Sequence, residues 1–411
     1  MKDKRGRIQH VFLVGAKNIG KYGGYETFVD KLTECHQGNG RIQYHVACKK
    51  NGDDHMDESR LSGVRRESED EFWYHNARCF KVPVLKLGPA QAVYYDLMAL
   101  RQCCDYIREN QITRPVIYIM ACRIGPFLAH YQRVVHRFGG RIYLNPDGHE
   151  WMRRKWSLPV RRYWKFSEHM MVRHSDLIVC DSVNIERYIR KVYGKKRADG
   201  VATTYIAYGA DTGRSSLRDD APAWTEWYRQ NGIVSGGYYL AVGRFVPENN
   251  YEIMLREFMR SDTDKKLVII TTPNDRLYQS LNEKLHFEAD KRIRFAGTVY
   301  NPELLKKIRE NAYGYIHGHE AGGTNPSLLE AMGSTDLNLL LDVKFNREVG
   351  EQAALYWKKD QGSLADLIQK ADRMSGEERS RTGELARKRI LEHYSWEYIA
   401  GRYEEEFLRE R

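Results

Sequence analysis

The residues best suited to chemistry lie in residues 317–332, His-Gly-His-Glu-Ala-Gly-Gly-Thr-Asn-Pro-Ser-Leu-Leu-Glu-Ala-Met. The pair Gly322-Gly323 leads into a helical pattern, and the first turn of a helix offers unpaired N–H groups that bind phosphate. Glu330 lies about two turns into that helix, where its carboxylate can accept hydrogen bonds from ribose hydroxyls. The segment therefore predicts a phosphate site with a ribose-binding carboxylate beside it.

The same segment also allows a metal site, which is the alternative interpretation. His317 and His319 are two residues apart, so a strand would place both on one face, and Glu320 follows directly. A structural or catalytic zinc needs at least three protein ligands, and the sequence offers no obvious third ligand at a suitable spacing. We therefore expect no metal.

A second candidate is Arg244, in the segment Gly243-Arg-Phe-Val-Pro-Glu-Asn-Asn250. It directly follows an apolar strand pattern. A guanidinium at a strand end can hold a diphosphate with two N–H groups and neutralise the charge of a leaving group. The alternative is a surface ion pair with Glu248.

A glycine-rich loop, residues 15–26, follows the first strand pattern and contains the pair Gly23-Gly24. Glycines between a strand and a helix let the backbone approach a ligand closely, and the helix N-terminus favours an anion. The loop matches neither the dinucleotide fingerprint nor the Walker A pattern. The alternative is a flexible turn between a strand and a helix.

A cluster of titratable side chains, Asp147, His149 and Glu150, lies in the segment Asn145-Pro-Asp-Gly-His-Glu-Trp151, again after a strand pattern. Such a cluster can supply an acid, a base or ligands for sugar hydroxyls. The alternative is a tight turn, which Pro-Asp-Gly encodes by itself.

A basic, aromatic segment, Trp151–Lys165, contains no acidic residue and interleaves cations with tryptophans. Its members include Arg153, Arg154, Lys155 and Trp156. Cations and interfacial aromatic rings together favour an anionic bilayer surface, although they would also suit RNA. The remaining alternative is an ordinary solvated helix whose aromatic side chains are in the core. We favour the membrane because no nucleic-acid-binding motif accompanies the segment.

These segments follow strands in a repeated strand–helix pattern, which predicts parallel sheets of βαβ units. The pattern restarts near residue 205. We therefore predict an N-terminal Rossmann-like domain over 1–205, a second one over 206–391, and a C-terminal helix over 392–411 that completes the first. Ligands of open parallel sheets bind beyond the carboxyl ends of the strands, where the candidate loops lie.

The composition agrees with two globular domains and a polyanionic or anionic partner. The chain has 411 residues, 29% of them charged, and a formal net charge of +11. Seven cysteines without a CxxC pair indicate reduced thiols in a cytosolic protein. The sequence has no signal-peptide core and no apolar run of the roughly 18 residues that span a bilayer, so any membrane contact would be peripheral.

Together these segments resemble the retaining GT-B glycosyltransferases. The combination of residues 22–27, 145–151, 244–250 and 319–330 is similar to bacterial rhamnosyltransferases of capsule and cell-wall polysaccharide synthesis. The resemblance covers nearly the whole chain, to Ser395-Trp-Glu397. It implies an α/β GT-B fold, in which two doubly wound Rossmann-like domains with parallel sheets face each other across a cleft.

The resemblance also implies roles for individual residues. Asp147, Arg244 and Glu320 are the expected catalytic residues, with Asp147 orienting the sugar or the acceptor. The nucleotide-sugar donor would contact a larger set: Gly23, Gly24, Arg244, Asn249, Glu320, Gly322, Gly323, Thr324, Asn325 and Glu330. The expected acceptor and membrane surface comprises His149, Glu150, Arg153, Arg154, Lys155 and Trp156. Such enzymes typically need no metal or other cofactor.

Two positions depart from the wider family. The family carries a second Glu eight residues before the ribose-binding one, where this chain has Gly322. The Lys that usually accompanies the diphosphate-binding Arg is replaced by Asn249. Both departures occur in the rhamnosyltransferase-like subgroup, and both weaken the inference of donor identity.

The expected activity is transfer of L-rhamnose from dTDP-rhamnose, with retention of configuration, to a lipid-linked saccharide at the cytoplasmic face of the cell membrane. The acceptor hydroxyl would attack the face that the diphosphate leaves, and a phosphate oxygen would take its proton. The alternatives are a hexosyltransferase that uses a UDP-sugar such as UDP-glucose, an inactive protein that binds nucleotide sugars, and an RNA-binding protein.

Overall fold

The computed structural model describes residues 8–21, 23–152, 156–194, 200–320 and 322–409. The chain divides into two compact units, an N-terminal unit of residues 1–208 with 396–411 and a C-terminal unit of residues 209–395. The sequence had suggested divisions after residues 205 and 391. Each unit is built on its own sheet.

The N-terminal unit contains a nine-stranded sheet in the order β3-β4-β5-β2-β1-β6-β7-β8-β9. All neighbouring strands are parallel except that β4 is antiparallel to both β3 and β5. Its elements are β1 (Gln9–Val14), α1 (Gly24–Cys35), β2 (Ile42–Lys49), β3 (Arg65–Arg66), β4 (Glu71–Tyr74), β5 (Ala77–Val82), α2 (Gln91–Glu109), β6 (Val116–Met120), α3 (Gly125–Arg137), β7 (Arg141–Asn145), α4 (Leu158–His174), β8 (Leu177–Cys180), α5 (Val183–Tyr193) and β9 (Thr203–Tyr205).

The C-terminal unit contains a six-stranded, wholly parallel sheet in the order β12-β11-β10-β13-β14-β15. Its elements are α6 (Pro222–Asn231), β10 (Tyr238–Val242), α7 (Tyr251–Arg260), β11 (Lys266–Ile270), α8 (Asp275–Leu285), β12 (Ile293–Phe295), α9 (Pro302–Glu310), β13 (Gly314–His317), α10 (Pro326–Ser334), β14 (Asn338–Leu341), α11 (Lys344–Gly350), β15 (Leu355–Trp357), α12 (Ser363–Asp372) and α13 (Gly376–His393).

The last helix, α14 (Trp396–Leu408), belongs to the N-terminal unit. Its residues Trp396, Ile399, Tyr403 and Phe407 recur at spacings of three and four, and all four are buried. The hydroxyl of Tyr403 lies 2.9 Å from the hydroxyl of Tyr118 on β6. The apolar stripe of the sequence is thus the face that packs α14 onto its unit.

Each sheet reverses its strand order at one point. In the N-terminal unit β1 lies between β2 and β6, and in the C-terminal unit β10 lies between β11 and β13. Ligands of open α/β sheets bind where the order reverses, beyond the carboxyl ends of the strands. The loops after β1, β6, β10 and β13 therefore border the expected ligand positions.

Six of the seven cysteines are buried, Cys35 is exposed, and all seven are free thiols. Among the helices in the described ranges, none combines the length and the apolar composition that crossing a bilayer requires.

Candidate functional site

In the C-terminal unit the loops after β10 and β13 are fastened to each other. Nδ1 of His319 lies 2.8 Å from Oδ1 of Asn249, and Nδ2 of Asn250 donates to the carbonyl of Gly318 at 2.8 Å. The backbones also come so close that a Cβ at position 318 would collide with the carbonyl oxygen of Asn249. Glycine is therefore required at position 318, and the two predicted loops form one site.

Asn249, which stands where the glycosyltransferases that the sequence resembles have lysine, links two loops within this site. Its Nδ2 donates to the carbonyl oxygen of Arg244 at 2.7 Å, while its Oδ1 faces His319. The amide thus fixes the turn that carries Arg244 against the loop after β13. A lysine ammonium at this position could not accept a hydrogen bond from His319. Asparagine therefore removes a positive charge from the site and adds a hydrogen bond between the two loops.

Arg244 presents its side chain to solvent. No carboxylate in the described parts of the chain forms an ion pair with its guanidinium, so the alternative pairing with Glu248 is not formed. The carbonyl of Glu248 instead accepts the backbone N–H of Glu320 at 3.2 Å. An exposed guanidinium on a well-anchored turn is free to bind an anion.

The carboxylate of Glu320 is already engaged within the unit. It forms an ion pair with Lys359, which follows β15, and it accepts from Nδ2 of Asn250 at 3.1 Å. Lys359 could not be predicted as a partner, because 39 residues separate it from Glu320. The site therefore contains a lysine, although not at the position where the family pattern places one.

The N-terminus of α10 lies in the same site. Oδ1 of Asn325 caps the helix by accepting the N–H of Ser327 at 2.9 Å. Thr324 is buried, and Gly322 adopts a φ of 123°, a conformation that side chains rarely allow. The glycine pair lies in the loop after β13, and the cap starts α10 directly behind it.

Glu330, in the second turn of α10, is paired with a buried cation. Nη2 of Arg309, which is 3% exposed, lies 2.5 Å from Oε2 of Glu330. Sequence reasoning missed Arg309 because it belongs to α9 and carries no recognisable motif. The predicted ribose-binding carboxylate is therefore held in place by a charge on the neighbouring helix.

His317 is buried at the end of β13, 6.1 Å from the ring of His319 between centroids. Burial, and to a lesser extent the charge of His319, lowers the pKa of His317 to about 3. The ring is therefore neutral at physiological pH. No group of three or more metal-binding side chains occurs in the described part of the chain.

The lowered pKa of His317 predicts a specific loss of stability in acid. Between pH 6.5 and about 3 the unfolded chain binds a proton at His317 that the folded chain does not, so the free energy of unfolding falls as the pH falls. The dependence approaches about 1.4 kcal/mol per pH unit well below pH 6.5, and we expect His317→Gln to remove about 2 kcal/mol of it between pH 7 and 5, as measured by urea denaturation. The exposed His130→Gln should keep the dependence of the wild type; equal slopes for all three proteins would contradict the prediction.

In the N-terminal unit the loop after β1 is closed by a glycine and a carboxylate. Gly15 has a φ of 123°, and a Cβ there would collide with the carbonyl oxygen of Met120. Oε1 of Glu26 accepts the N–H of Lys17 at 3.1 Å. Gly23 is extended, and a Cβ there would collide with the carboxylate of Glu26, which is the far end of a flexible side chain, whereas Gly24 starts α1 with open space around its Cα. The backbone therefore requires glycine at neither position; Tyr22 lies outside the described residues.

Asp147 occupies a left-handed conformation with a φ of 59° after β7. Its N–H donates to Oδ1 of Asn145 at 2.8 Å, and its own Oδ1 accepts the N–H of Gly148 at 2.8 Å. These side-chain hydrogen bonds hold the bend at Asp147-Gly148, and they place the carboxylate beside Tyr25. Burial, followed by the charge of Asp147, raises the pKa of the Tyr25 hydroxyl well above its usual value.

A buried cation near Asp147 was missed by the sequence analysis. Nη1 of Arg123, in the loop after β6, lies 3.0 Å from Oδ2 of Asp96 and 3.2 Å from the carbonyl oxygen of Gly15. Burial lowers the pKa of the guanidinium, but the charges of Asp96, Tyr25 and Asp147 outweigh it and raise the pKa above its usual value. Arg123 therefore remains charged beside the predicted catalytic carboxylate.

Removing this cation should be costly, because Asp96 is fully buried. We expect Arg123→Met to lower the free energy of unfolding by about 3 kcal/mol, measured by urea denaturation. The double variant Arg123→Met/Asp96→Leu should recover most of the loss. The exposed pair of Arg101 and Asp105 is the control, since Arg101→Met should change stability by less than about 0.5 kcal/mol. A loss in Arg123→Met no larger than this would refute the role of the pair.

The basic, aromatic segment is only partly directed to solvent. Nε1 of Trp156 donates to Oε1 of Glu150 at 2.7 Å, and His149 packs edge-on against Tyr188 with 4.3 Å between centroids. Lys165 turns inward to the buried Glu168, 3.0 Å from Oε1. Arg153, Arg154 and Lys155 lie outside the described residues. Among the described cations of the segment, Lys165 therefore has an internal partner, and Arg162 is exposed.

Within the C-terminal unit the structure thus brings together Arg244, Asn249, Glu320, and the start of α10. Within the N-terminal unit it brings Asp147 next to Tyr25 and Arg123. Glu330 lies further along α10, and His149, Glu150 and Trp156 form a separate group after β7.

Comparison with known proteins agrees with the architecture. A family model described as "Domain of unknown function (DUF1972)" matches residues 8–211. No curated protein sequence matches the chain significantly.

Solved structures resemble the chain over almost its full length. Sucrose-phosphate synthase from Thermosynechococcus elongatus has 15% identity and a TM-score of 0.69, covering 97% of this chain and 98% of its own. A glycosyltransferase from Rickettsia africae has 10% identity and a TM-score of 0.72, covering 98% and 100%. HepE from Anabaena, in complex with UDP, has 13% identity and a TM-score of 0.67, covering 97% and 99%. The chain therefore has the GT-B fold, with a mostly parallel sheet in the N-terminal unit and a wholly parallel one in the C-terminal unit.

Proposed function

We propose that this protein is a glycosyltransferase that uses a nucleotide-diphosphate sugar as donor. The observation that carries the proposal is the joined pair of loops after β10 and β13. They place an exposed, unpaired Arg244 and the N–H groups that begin α10 at the same edge of one sheet. A guanidinium and a helix N-terminus that converge at a sheet edge form a site for a diphosphate.

The structural neighbours support this class of donor. The Anabaena protein has been solved with UDP and with UDP and glucose, and a trehalose-6-phosphate protein of E. coli has been solved with UDP-2-fluoro glucose. These ligands belong to those proteins. For this chain, the structural similarity supports the same class of donor as the diphosphate-binding groups in its own loops do.

In the proposed mechanism the C-terminal unit binds the donor. Arg244 and the amides of Gly322, Gly323 and Thr324 hold the diphosphate and stabilise the charge that develops as it leaves. The acceptor hydroxyl forms the new bond to the anomeric carbon on the face from which the diphosphate departs, and it gives its proton to a leaving-phosphate oxygen. The configuration is retained, and the protein contributes position and charge without a metal.

The remaining site residues have supporting roles. Glu330 accepts from the nucleotide ribose, and Glu320, held by Lys359 and Asn250, faces the sugar. Asn249 fastens the turn of Arg244 to the loop after β13. Asp147 orients the sugar or the acceptor. Gly23-Gly24 are proposed to contact the donor phosphates, and Asn325 caps the helix that binds them.

The proposed donor is dTDP-rhamnose, on the strength of the four segments that resemble rhamnosyltransferases. UDP-glucose or another UDP-hexose is the alternative, which the bound ligands of the neighbours favour. A protein that binds the donor without turnover is the second alternative, because the family's second Glu is absent here.

The proposed acceptor is a lipid-linked saccharide of cell-surface polysaccharide synthesis, such as capsule or cell wall, at the cytoplasmic face of the membrane. Three exposed residues of α4, Leu158, Arg162 and Phe166, follow each other at intervals of four and share one face of the helix. Leu158 is 66% and Phe166 53% exposed. Two apolar side chains flanking a cation on a solvent-facing stripe suit an anionic bilayer surface.

We expect the double variant Leu158→Ser/Phe166→Ser to bind phosphatidylglycerol-containing vesicles at least about tenfold more weakly than the wild type, because two apolar side chains no longer enter the interface. Co-sedimentation at constant ionic strength measures this. The control is Leu391→Ser, since Leu391 is similarly exposed at 57% on α13 of the other unit. Equal binding of all three proteins would refute the membrane surface on α4, and salt-sensitive binding to RNA alone would favour the RNA alternative.

Donor turnover tests the proposed function as a whole. The wild type would be incubated with dTDP-rhamnose, UDP-glucose and GDP-mannose in the presence of EDTA, and release of the nucleoside diphosphate would be followed. Selective hydrolysis of dTDP-rhamnose supports the full proposal. Selective hydrolysis of a UDP-sugar would replace the donor and keep the activity. If no donor is bound or hydrolysed, the proposal fails.

A further inference from the structure

We propose that Glu330 contacts the nucleotide with one carboxylate oxygen only. The donor site then binds the 3′-hydroxyl of the nucleotide sugar and gains little affinity from a 2′-hydroxyl. This inference rests on the proposed function and names its substrate class more closely. The site would accept a 2′-deoxyribonucleoside diphosphate as readily as the corresponding ribonucleoside diphosphate.

The two oxygens of the Glu330 carboxylate are not equivalent. Oε2 is inaccessible to solvent and lies 2.5 Å from Nη2 of Arg309. The side chain of Glu330 as a whole is 22% exposed, so its exposed part excludes Oε2. Only Oε1 is left to accept a hydrogen bond from a ligand.

Arg309 is fixed where it stands. It is buried at the end of α9, and its backbone carbonyl accepts the hydroxyl of Thr335 at 2.9 Å. Its Nη2 also lies 3.4 Å from Oγ of Ser327, in the first turn of α10. Turning the Glu330 carboxylate toward a ligand would take a counter-charge away from a buried guanidinium, which is strongly unfavourable. Oε2 therefore stays with Arg309 when the nucleotide binds.

A carboxylate with both oxygens free can accept both vicinal hydroxyls of a ribose. A carboxylate with one free oxygen must share that oxygen between the two hydroxyls, so the second hydroxyl adds little to affinity. The proposed dTDP donor has only the 3′-hydroxyl, and we therefore assign the single contact to it. Loss of a hydrogen bond to a charged group lowers affinity by a factor of about 10–100.

The test compares UDP, 2′-deoxy-UDP and 3′-deoxy-UDP, which share one base and one diphosphate, by titration calorimetry on the full chain. We expect UDP and 2′-deoxy-UDP to bind within about threefold of each other and 3′-deoxy-UDP to bind about tenfold or more weakly. Tenfold weaker binding of 2′-deoxy-UDP would overturn the inference, and so would unweakened binding of 3′-deoxy-UDP. Binding of dTDP is measured alongside. If dTDP alone binds, the site does not accept a ribonucleoside diphosphate as readily and the inference is overturned; if neither dTDP nor any of the three binds, the proposed function itself fails, and the inference fails with it.

Variants distinguish the ion pair between Arg309 and Glu330 from the contact between Glu330 and the nucleotide. Glu330→Ala should weaken UDP and 2′-deoxy-UDP by the same factor, because both lose the same hydrogen bond. Arg309→Met frees Oε2 and should make UDP bind about tenfold more tightly than 2′-deoxy-UDP, whereas Arg309→Lys should keep the ratio near one. Thermal unfolding shows whether each variant is folded. If Arg309→Met does not fold, the ratio of the wild-type affinities for UDP and 2′-deoxy-UDP decides whether the inference holds. An unchanged ratio in a folded Arg309→Met would contradict the role of Arg309.

Discussion

Arg244→Ala is expected to lower donor turnover by a factor of about 10²–10³, because one preorganised positive charge no longer stabilises the leaving diphosphate. The loss should appear in kcat as well as in affinity, since the charge on the diphosphate grows in the transition state. The fold should be unaffected, because the side chain is exposed and pairs with no described carboxylate. Release of nucleoside diphosphate in steady-state assays measures the effect.

The matched control for this variant is Arg229→Ala. Arg229 is also exposed and lies in the same unit, but it belongs to α6, which precedes the amino end of β10, and it pairs with Glu226. Its loss should leave turnover within about twofold of the wild type, since surface ion pairs contribute little. Equal turnover of Arg244→Ala and Arg229→Ala would remove Arg244 from the mechanism.

Asp147→Asn is expected to lower turnover by about a hundredfold or more, the usual contribution of a positioned charged group at a reacting centre. Asparagine tolerates the left-handed conformation that Asp147 adopts, and its Oδ1 can still accept the N–H of Gly148. The variant therefore removes the charge and keeps the turn. Stability should change by less than about 1 kcal/mol, and steady-state turnover with dTDP-rhamnose measures the catalytic effect.

Asp105→Asn on α2 controls for a general effect of charge in the same unit. Asp105 is 40% exposed and pairs with Arg108 along the helix, far in sequence from the candidate loops. Its replacement should leave turnover unchanged. If Asp147→Asn retains more than half of the turnover of the wild type, Asp147 has no role in orienting substrate.

The parallel strands and the loops that follow them could be predicted because their signals are local. Short apolar runs such as Val116–Met120 are buried on both faces of a sheet, and each is bounded by turn residues. The start of α10 after Gly322-Gly323 was also predicted, because the glycine pair directly precedes a helical pattern. Such features depend on neighbours in sequence, which a reader of the sequence can see.

The hairpin of β4 and β5 escaped prediction for a different reason. Its turn, His75-Asn76, takes positive φ at both positions. Positive φ at both turn residues is the geometry of a two-residue hairpin turn. The sequence lacks the Asn-Gly or Asp-Gly pair that normally predicts such a turn. The strand β15 was missed because three residues at a sheet edge give no usable periodicity.

The charged partners of the site could not be predicted at all. Arg123, Arg309 and Lys359 are three of 66 basic residues, and nothing in their local sequence distinguishes them. Arg123 meets Asp96 across 27 residues and Arg309 meets Glu330 across 21 positions, through strands and helices that only folding brings together. Buried ion pairs are properties of packing, so they follow from the tertiary structure.

The measurement that tests the central claim most directly is a crystal structure of the full chain bound to dTDP-rhamnose. We predict the diphosphate at the carboxyl ends of β10 and β13, bonded to the guanidinium of Arg244 and to backbone N–H groups at the start of α10. The 3′-hydroxyl should donate to Oε1 of Glu330. A nucleotide bound elsewhere, with Arg244 and α10 making no contact with its phosphates, would contradict the assignment of the donor site.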